Sequence, residues 1–423
     1  KENRARKRGA AAAMSIETRQ SWTIATVALC TLAVSFGSPY VSIVSLKAIA
    51  AEVGGQRSIP ALANSLAWFG AAVGGIAMGT LAERIGVRWT AALGGTMIAL
   101  GLMLSSLGEI WQLYLGHGLF IGLLGNAGIN APLYIYVTKW FDRRRGTALA
   151  LISSGQYIAG ALWPPLFERA VATVGWRQTM LGYGILEGLI VVPLALFFFT
   201  RPPADTSTTP TTATGTARPD DRVLGLRPNV AFTLLAAANF LCCVPMSMPT
   251  AHLIAYCGDL GLTAAKGAAM LSLLLVCAVI SRQLWGRLSD SIGGLRTILL
   301  SGLAQLFALT ALALAHSEAS LFTVAAIFGL GYAGLIPSYV LAIREHFPAH
   351  EMRWRVPSTL LFGGSGMAFG GWLAGAIYDH AGYYTPAFVT GIAFNALNVM
   401  ISGFLVWRLS RSIGGAGRLA PAV

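Results

Sequence analysis

Twelve long apolar stretches constrain the fold of this chain more than any other feature. Each holds about 20 mostly apolar residues, the length that an α-helix needs to cross the hydrocarbon core of a bilayer. We number them spans 1 to 12, at 22–46, 60–82, 89–108, 110–137, 147–170, 178–200, 229–256, 265–286, 295–315, 320–343, 357–378 and 384–407. The sequence therefore predicts an all-α, multi-pass membrane protein.

Charge is scarce in the chain and unevenly placed. Only 11% of the 423 residues are charged, whereas soluble domains carry about 25% charged residues. Of the 30 lysines and arginines, 24 lie in tails and loops on one side of the spans, one lies within span 8, and five lie on the opposite side. Those five are Lys47, Arg57, Arg169, Arg177 and Lys266. This bias predicts a protein of the cell inner membrane, embedded in the lipid bilayer, with both termini cytoplasmic.

The formal net charge of +13 does not indicate nucleic-acid binding, because the arginines are divided among many loops and form no single stripe. The longest interruption is rich in Thr, Pro, Ala and Asp, a composition typical of a linker without a core of its own. We expect a monomer of two six-helix halves. The predicted organisation is an N-terminal arm at 1–21, a first half at 22–200, a linker at 201–228, a second half at 229–408 and a tail at 409–423.

The loops after spans 2 and 8 repeat one pattern. Each begins with glycine and continues with leucine at +2, an acid at +4, glycine at +7 and arginine close behind. The first copy is Gly79-Thr80-Leu81-Ala82-Glu83-Arg84-Ile85-Gly86-Val87-Arg88, and the second, 207 residues later, is Gly286-Arg287-Leu288-Ser289-Asp290-Ser291-Ile292-Gly293-Gly294-Leu295-Arg296. Gly175 and Gly382 are also 207 residues apart. A repeat at one offset predicts a duplicated architecture.

The first of these loops resembles the signature loop of the major facilitator superfamily, with Glu83 in place of the usual Asp. The resemblance covers 14–411 and implies twelve helices in two pseudo-symmetric halves. In the family, ion pairs between such acids and arginines latch one conformation at the cytoplasmic helix ends. The alternative is that these arginines only set the orientation of the chain in the membrane and form no latch. The implied latch residues are Gly79, Glu83, Arg84, Gly86, Arg88, Asp142, Arg143, Arg144, Arg145, Gly286, Arg287, Asp290 and Arg296.

Four further segments are similar to the branch of that superfamily that contains monocarboxylate carriers and oxalate/formate exchangers. They are Lys139-Trp140-Phe141-Asp142-Arg143-Arg144-Arg145-Gly146-Thr147-Ala148, Gly175-Trp176-Arg177, Arg282-Gln283-Leu284-Trp285-Gly286 and Arg344-Glu345-His346-Phe347-Pro348. The resemblance implies a secondary transporter, acting as symporter or antiporter, with protons or a counter-anion as the coupling partner. The sequence contains no HExxH motif, paired carboxylates or Ser/His/Asp set within reach, so we expect no enzymatic activity, and we expect no cofactor.

Arg282 is the one lysine or arginine that lies more than two residues from the end of a span. An arginine at the bilayer centre costs about 2.5–3.5 kcal/mol on insertion scales and normally faces an aqueous cavity or a partner. Its planar guanidinium suits a carboxylate, to which it can donate two hydrogen bonds. The alternative is that Arg282 lies one helical turn from Gly286 and extends to the cytoplasmic interface as another inside charge. We predict that it anchors a substrate carboxylate.

Neutral hydrogen-bond donors on other spans are the candidate partners of that carboxylate. Asn126, Asn130 and Tyr134 repeat at i, i+4 and i+8, so they share one face of span 4. Tyr332 in span 10 matches the position of an aromatic residue that contacts substrate in the bacterial carriers. The alternative for each is hydrogen bonding between helices. The remaining candidates are Gln156 and Tyr157 in span 5 and Asn239 in span 7.

Two ionisable residues within spans are candidates for proton coupling. Glu187 would carry a proton if its side chain is buried, and the alternative is a contact between helices. For His252 the alternative to proton coupling is a role in helix packing. The five cysteines lack zinc-type spacing and indicate buried small side chains, not a metal site. Cys242, Cys243 and the nearby Met246 make copper transport an alternative function.

Differences from the monocarboxylate carriers and oxalate/formate exchangers narrow the range of predicted substrates. Ala278 stands where animal monocarboxylate carriers have an acid, Tyr40 stands where they have a lysine, and no Lys or Arg lies between Pro357 and Asp379. One membrane arginine suits one carboxylate, so the sequence predicts a monocarboxylate carrier that works by alternating access. The alternatives are a dicarboxylate exchanger of the oxalate/formate type, a drug transporter, and a non-transporting sensor of this fold.

Overall fold

The computed structural model describes residues 17–141, 144–200, 202 and 222–416, without the side chains of 145, 146, 349 and 412–416. Almost all of these residues are helical, and none of them belongs to an extended sheet. The helices of the first half are Arg19–Ser35 and Ser38–Val44 (span 1), Leu46–Glu52, Ser58–Ile85 (span 2), Val87–Ser105 (span 3), Ile110–Leu115, Gly116–Asn126 and Ala127–Thr138 (span 4), and Arg145–Ser153 and Gly155–Phe198 (spans 5 and 6).

The second half follows the same plan. Its helices are Pro228–Asp259 (span 7), Ala264–Ile292 (span 8), Gly294–Leu314 (span 9), Glu318–Tyr332 and Leu335–His346 (span 10), Met352–Ala381 (span 11) and Thr385–Ala416 (span 12). Most of the predicted linker falls outside the described residues, as do most of the predicted arm and the end of the predicted tail.

Eleven helical segments among the described residues are long and apolar enough to cross a membrane. One of them, Thr147–Phe198, spans 52 residues and contains two spans. It reverses at Gly175, whose φ of 83° and ψ of 164° are not helical. The reversal brings the rings of Trp163 and Phe167 to within 4.8 and 4.7 Å of the Tyr183 ring. The predicted all-α fold of twelve spans is confirmed.

Four of the described spans contain breaks, and the breaks fall beside candidate site residues. Span 5 is interrupted at Ser154, two residues before Gln156. Span 1 is interrupted after Ser35 and resumes at Ser38, two residues before Tyr40. Span 4 has a π-helical segment, Gly116–Asn126, a form that often occurs at functional sites. Span 10 is interrupted directly after Tyr332. Interrupted helices near the middle of a transporter commonly position substrate groups.

The two copies of the repeated loop adopt the same backbone conformation. Gly86 has φ 90° and ψ 150°, and Gly293 has φ 84° and ψ 160°. Positive φ with extended ψ is essentially restricted to glycine, because a Cβ atom would clash there. Each glycine ends one span and directly begins the next, so the repeat seen in the sequence is also a structural repeat.

The bundle has two faces, which we name by their residues. The terminal face holds Arg19 at the start of span 1 and Arg411 near the end of span 12, and the distal face holds Ser58 and Asp259. Near the distal face spans 2 and 11 pack closely, since a Cβ atom at Gly375 would lie 3.0 Å from Cα of Ser58. Near the terminal face a Cβ atom at Gly79 or Gly286 would meet no described atom within 4 Å. The halves therefore pack closely at the distal face, whereas the surroundings of Gly79 and Gly286 at the terminal face are open.

Candidate functional site

Arg282 joins the two halves near the middle of the bundle. It is half-buried on span 8, and its Nη1 donates a hydrogen bond to the hydroxyl oxygen of Tyr157 on span 5 at 3.2 Å. The guanidinium carbon lies 5.4 Å from the centre of the Tyr157 ring. The side chain thus contacts the opposite half of the molecule.

Three further tyrosines from three other spans surround this pair. The rings of Tyr157 and Tyr332 are 6.4 Å apart in an edge-to-face arrangement, and Tyr332 is only 3% exposed. Tyr134 of span 4 lies within electrostatic range of Arg282. Tyr40 of span 1 lies within the same range of Tyr157 and Tyr332. We call Tyr40, Tyr134, Tyr157 and Tyr332 the tyrosine cage.

Arg282 has no acidic partner in the part of the chain that the structure describes. The ion pairs there are formed by Lys47, Arg57, Arg177, Lys266 and Arg355. A cation at the middle of a membrane protein is normally compensated by an anion or by water. The cage supplies neutral hydroxyl groups and ring faces, so the site presents an uncompensated positive charge together with hydrogen-bond donors.

A small cavity lies between the halves, beside the tyrosine cage. It has a volume of about 30 Å³ and is lined by residues of spans 1, 2, 5, 7 and 11, among them Tyr40, Asn64 and Gln156. That volume holds about two water molecules. Asn64 is buried, and its side-chain oxygen has no hydrogen-bond partner among the described residues. The predicted site residue Gln156 therefore lines a cavity next to the cage.

The three predicted asparagines differ in their surroundings. Asn126 is buried and Asn130 half-buried, and the side-chain oxygen of each lacks a partner among the described residues. Neither makes a described hydrogen bond to Arg282. Asn239 donates to the carbonyl oxygen of Thr359 at 2.7 Å and accepts from the Cys243 thiol at 3.6 Å. It thereby ties span 7 to span 11 within the second half.

The two candidate proton carriers are both fully buried and lie in different regions. Glu187 of span 6 lies beside Ser35 and Tyr183 within the first half. His252 of span 7 contacts Tyr384 and Gly371 towards the distal face. The thiols of Cys242 and Cys243 both face the Asn239 side chain, and no group of three metal-ligating acids, histidines or cysteines occurs among the described residues.

Charged residues from both halves form a cluster at the distal face that the sequence did not indicate. The guanidinium of Arg57, between spans 1 and 2, donates to both carboxylate oxygens of Asp259 on span 7, at 2.5 and 2.7 Å. Lys47 adds a contact of 3.0 Å to the same carboxylate. Arg57 is only 7% exposed and lies 3.7 Å from the centre of the Tyr378 ring. This bidentate, partly desolvated pair holds the halves together.

Asp379 adds a second contact between the halves. Its two carboxylate oxygens accept hydrogen bonds from the backbone N–H groups of Arg57 at 2.7 Å and Ser58 at 2.9 Å. Those groups begin the helix of span 2, where unpaired N–H groups and the helix dipole favour an anion. Span 11 of one half thus caps span 2 of the other. We call Lys47, Arg57, Asp259 and Asp379 the distal gate.

The predicted latch residues lie at the terminal face. Gly79, Glu83, Gly86 and Arg88 line a cavity of about 380 Å³. Among the described residues no ion pair joins Glu83 or Asp290 to an arginine, and Arg84, Arg144, Arg287 and Arg296 are exposed. Asp142 and Arg143 lie outside the described residues, as does the side chain of Arg145. The latch remains a prediction.

The sequence matches a known family and several relatives. The sequence model of the Major Facilitator Superfamily matches residues 26–353. An MFS-type transporter of Aspergillus niger, pynF, is 24% identical over 363 residues, which cover 83% of this chain and 80% of that protein. Monocarboxylate transporter 13 of Rattus norvegicus is 27% identical over 336 residues, which cover 77% of this chain and 74% of that protein.

Solved structures share the fold at low sequence identity. A bacterial homolog to the human lysosomal transporter Spinster, in an inward-facing and occupied conformation, superimposes with a TM-score of 0.69 at 16% identity, covering 93% of this chain and 98% of that chain. The E. coli fucose:proton symporter superimposes with a TM-score of 0.58 at 16% identity, covering 92% and 99%.

Proposed function

Since the chain belongs to the Major Facilitator Superfamily, a family of multi-pass membrane transporters, we propose that it is a secondary transporter of a small organic anion, a monocarboxylate. The anion binds between the two halves, and the halves alternately open to either side of the membrane. The terminal face is the cytoplasmic one and the membrane is the cell inner membrane. The relatives named monocarboxylate transporter 13 support the substrate class.

The observation that carries the proposal is the uncompensated charge of Arg282. Its only described hydrogen-bond partner is the neutral Tyr157 hydroxyl, and none of the described acids pairs with it. A carboxylate in this position would accept two hydrogen bonds from the guanidinium, the geometry that arginine favours. The tyrosine cage offers hydroxyl donors to the same anion. A cationic substrate would be repelled.

The closed distal gate fits one state of such a cycle. Arg57, Asp259 and Asp379 join the halves on the distal side of the cage, while Gly79 and Gly286 at the terminal face have open surroundings. The anion would reach Arg282 from the terminal face in this conformation. Rupture of the distal gate would open the opposite path, and alternation between the two arrangements moves the anion.

Substitution of Arg282 tests the proposal. Charge-assisted hydrogen bonds contribute about 1.5–3 kcal/mol, so we expect Arg282→Ala to weaken binding about tenfold to hundredfold. Arg282→Lys retains the positive charge but lacks the planar guanidinium. We expect its affinity for the anion to lie between those of the parent protein and Arg282→Ala. The measurements are uptake of radiolabelled monocarboxylates into proteoliposomes and their binding to purified protein.

Arg169→Ala provides the matched control. Arg169 is exposed at the distal end of span 5 and pairs with none of the described acids. We expect this variant to transport normally. Undiminished uptake by a correctly folded Arg282→Ala protein would refute the anchor, and binding of amines in preference to carboxylates would refute the substrate class.

A further inference from the structure

His252 links the closed distal gate to the interior of the second half. It is fully buried on span 7. Its Nε2 lies 2.8 Å from the carbonyl oxygen of Gly371 on span 11, and its Nδ1 lies 3.0 Å from the hydroxyl oxygen of Tyr384 at the start of span 12. The guanidinium carbon of Arg57 in turn lies 5.3 Å from the centre of the Tyr384 ring.

These contacts satisfy the neutral imidazole. A carbonyl oxygen only accepts, so Nε2 must carry hydrogen and donate to Gly371. Nδ1 is then free to accept from the Tyr384 hydroxyl, and both ring nitrogens are satisfied in the neutral form. A second proton on Nδ1 would face the hydroxyl hydrogen and force the Tyr384 hydroxyl to turn away.

Of the two charges near His252, the Arg57 guanidinium opposes a second proton and the Asp379 carboxylate favours it. Arg57, from the loop between spans 1 and 2, and Asp379, from span 11, are the charged groups that face it from other elements. The Asp379 carboxylate is already engaged by two backbone N–H groups. Tyr256 on its own helix packs edge-to-face on Tyr384, and Asp259 is engaged by Arg57 and Lys47. A histidinium here would be a buried cation without a free carboxylate, which is strongly unfavourable.

We propose that His252 is a proton-binding site that controls the distal gate: the closed gate requires the neutral imidazole, and proton binding favours the open gate. This inference rests on the alternating-access function proposed above. The direction follows from linkage, because opening the gate admits water to a residue that the closed gate keeps dry. A ligand that binds only one of two states shifts the population towards it. Acidification therefore opens the distal face.

Distance measurements between the halves test the proposal without any substrate. Spin labels are attached at Thr173→Cys on span 5 and Ala265→Cys on span 8, both exposed at the distal face. Cys30 and Cys277 are replaced by alanine, and the other three cysteines are buried. Distance distributions by pulsed electron resonance are recorded in lipid nanodiscs at about pH 5.5 and about pH 8, either side of the usual histidine titration range.

We expect the long-distance population of the labelled parent to rise several-fold at the lower pH. His252→Gln cannot take up a proton, so its distribution should not change with pH. His316→Gln is the matched control, because His316 is exposed and its one described hydrogen bond is to the carbonyl oxygen of Leu314 in its own loop. It should respond as the parent does.

A second variant keeps the test decisive if His252→Gln does not fold. Tyr384→Phe removes the hydroxyl that Nδ1 accepts from, so we expect more open protein at pH 8 and a smaller response to acid. A parent that does not respond to pH overturns the proposal, as does a His252→Gln protein that responds like the parent. The distance measurements contain no substrate anion. A negative result for His252 is therefore distinct from a negative result in the Arg282 binding and uptake experiments.

Discussion

The direction in which Arg282 extends separates the two interpretations of this residue. Extension towards the terminal face would make it an interfacial charge, as Gly286 one turn away allows. The structure instead directs Nη1 towards the Tyr157 hydroxyl of the other half. That contact crosses the interface between the two halves, which supports the proposal that Arg282 anchors an anion there.

We predict that Tyr157→Phe weakens substrate binding without abolishing transport. The Tyr157 hydroxyl lies 3.2 Å from Arg282 and is placed to donate to a carboxylate held there. Loss of one hydrogen bond corresponds to about 0.5–1.5 kcal/mol, or about a twofold to tenfold higher half-saturating concentration. The measurement is the concentration dependence of uptake into proteoliposomes.

Tyr383→Phe is the control for this prediction, because Tyr383 is 58% exposed at the distal face. Its half-saturating concentration should equal that of the parent. An unchanged value for Tyr157→Phe would mean that the hydroxyl does not contact the substrate.

The site was partly predictable from the sequence for a physical reason. Arg282, Tyr157 and Tyr332 are polar residues within apolar stretches, and that contrast is visible without a structure. Tyr40 was not predicted as a site residue. Its place in the site depends on the break in span 1, near which it interacts with Tyr157 and Tyr332. The distal gate was not predicted, because Arg57 and Asp259 are 202 residues apart in the sequence and a single sequence does not reveal such a pairing.

At the scale of elements, close packing between spans 2 and 11 sets the closed state of the distal face. A Cβ atom at Gly375 of span 11 would lie 3.0 Å from Cα of Ser58 and 3.1 Å from Cβ of Ala61. Glycine lets the two helices approach this closely, as small residues commonly do at helix interfaces in membranes. The same approach brings Asp379 to the first N–H groups of span 2.

Gly375→Leu should therefore hold the distal face open. A leucine side chain would occupy the space that Ser58 and Ala61 need on closure, and interiors packed at native density do not absorb this volume. We expect longer distances between labels at Thr173 and Ala265 and a loss of uptake. Gly182→Leu is the matched control, because a Cβ atom at Gly182 meets no described atom within 4 Å. A short-distance population in Gly375→Leu equal to that of the control would contradict this account of closure.

At the scale of the whole molecule, pairing explains the basic residues that depart from the positive-inside pattern. Four of the five on the distal side form ion pairs with acids, and the pairs are Lys47–Asp259, Arg57–Asp259, Arg177–Glu52 and Lys266–Glu318. Hydrogen bonds from Arg177 and Trp176 lower the pKa of the Glu52 carboxyl, so that group remains charged at neutral pH. Pairing reduces the net positive charge of the distal face and leaves the surplus on the terminal face.

Labelling in intact cells tests the orientation that this charge distribution predicts. Lysines and arginines near span ends favour the cytoplasmic side, so the terminal face should be cytoplasmic. In a background with Cys30 and Cys277 replaced, a membrane-impermeant maleimide should label Ala265→Cys at the distal face of whole cells. Ser410→Cys, exposed near the terminal end of span 12, should be labelled only after the membrane is permeabilised. Labelling of Ser410→Cys but not Ala265→Cys in intact cells would invert the topology and place the closed distal gate on the cytoplasmic side.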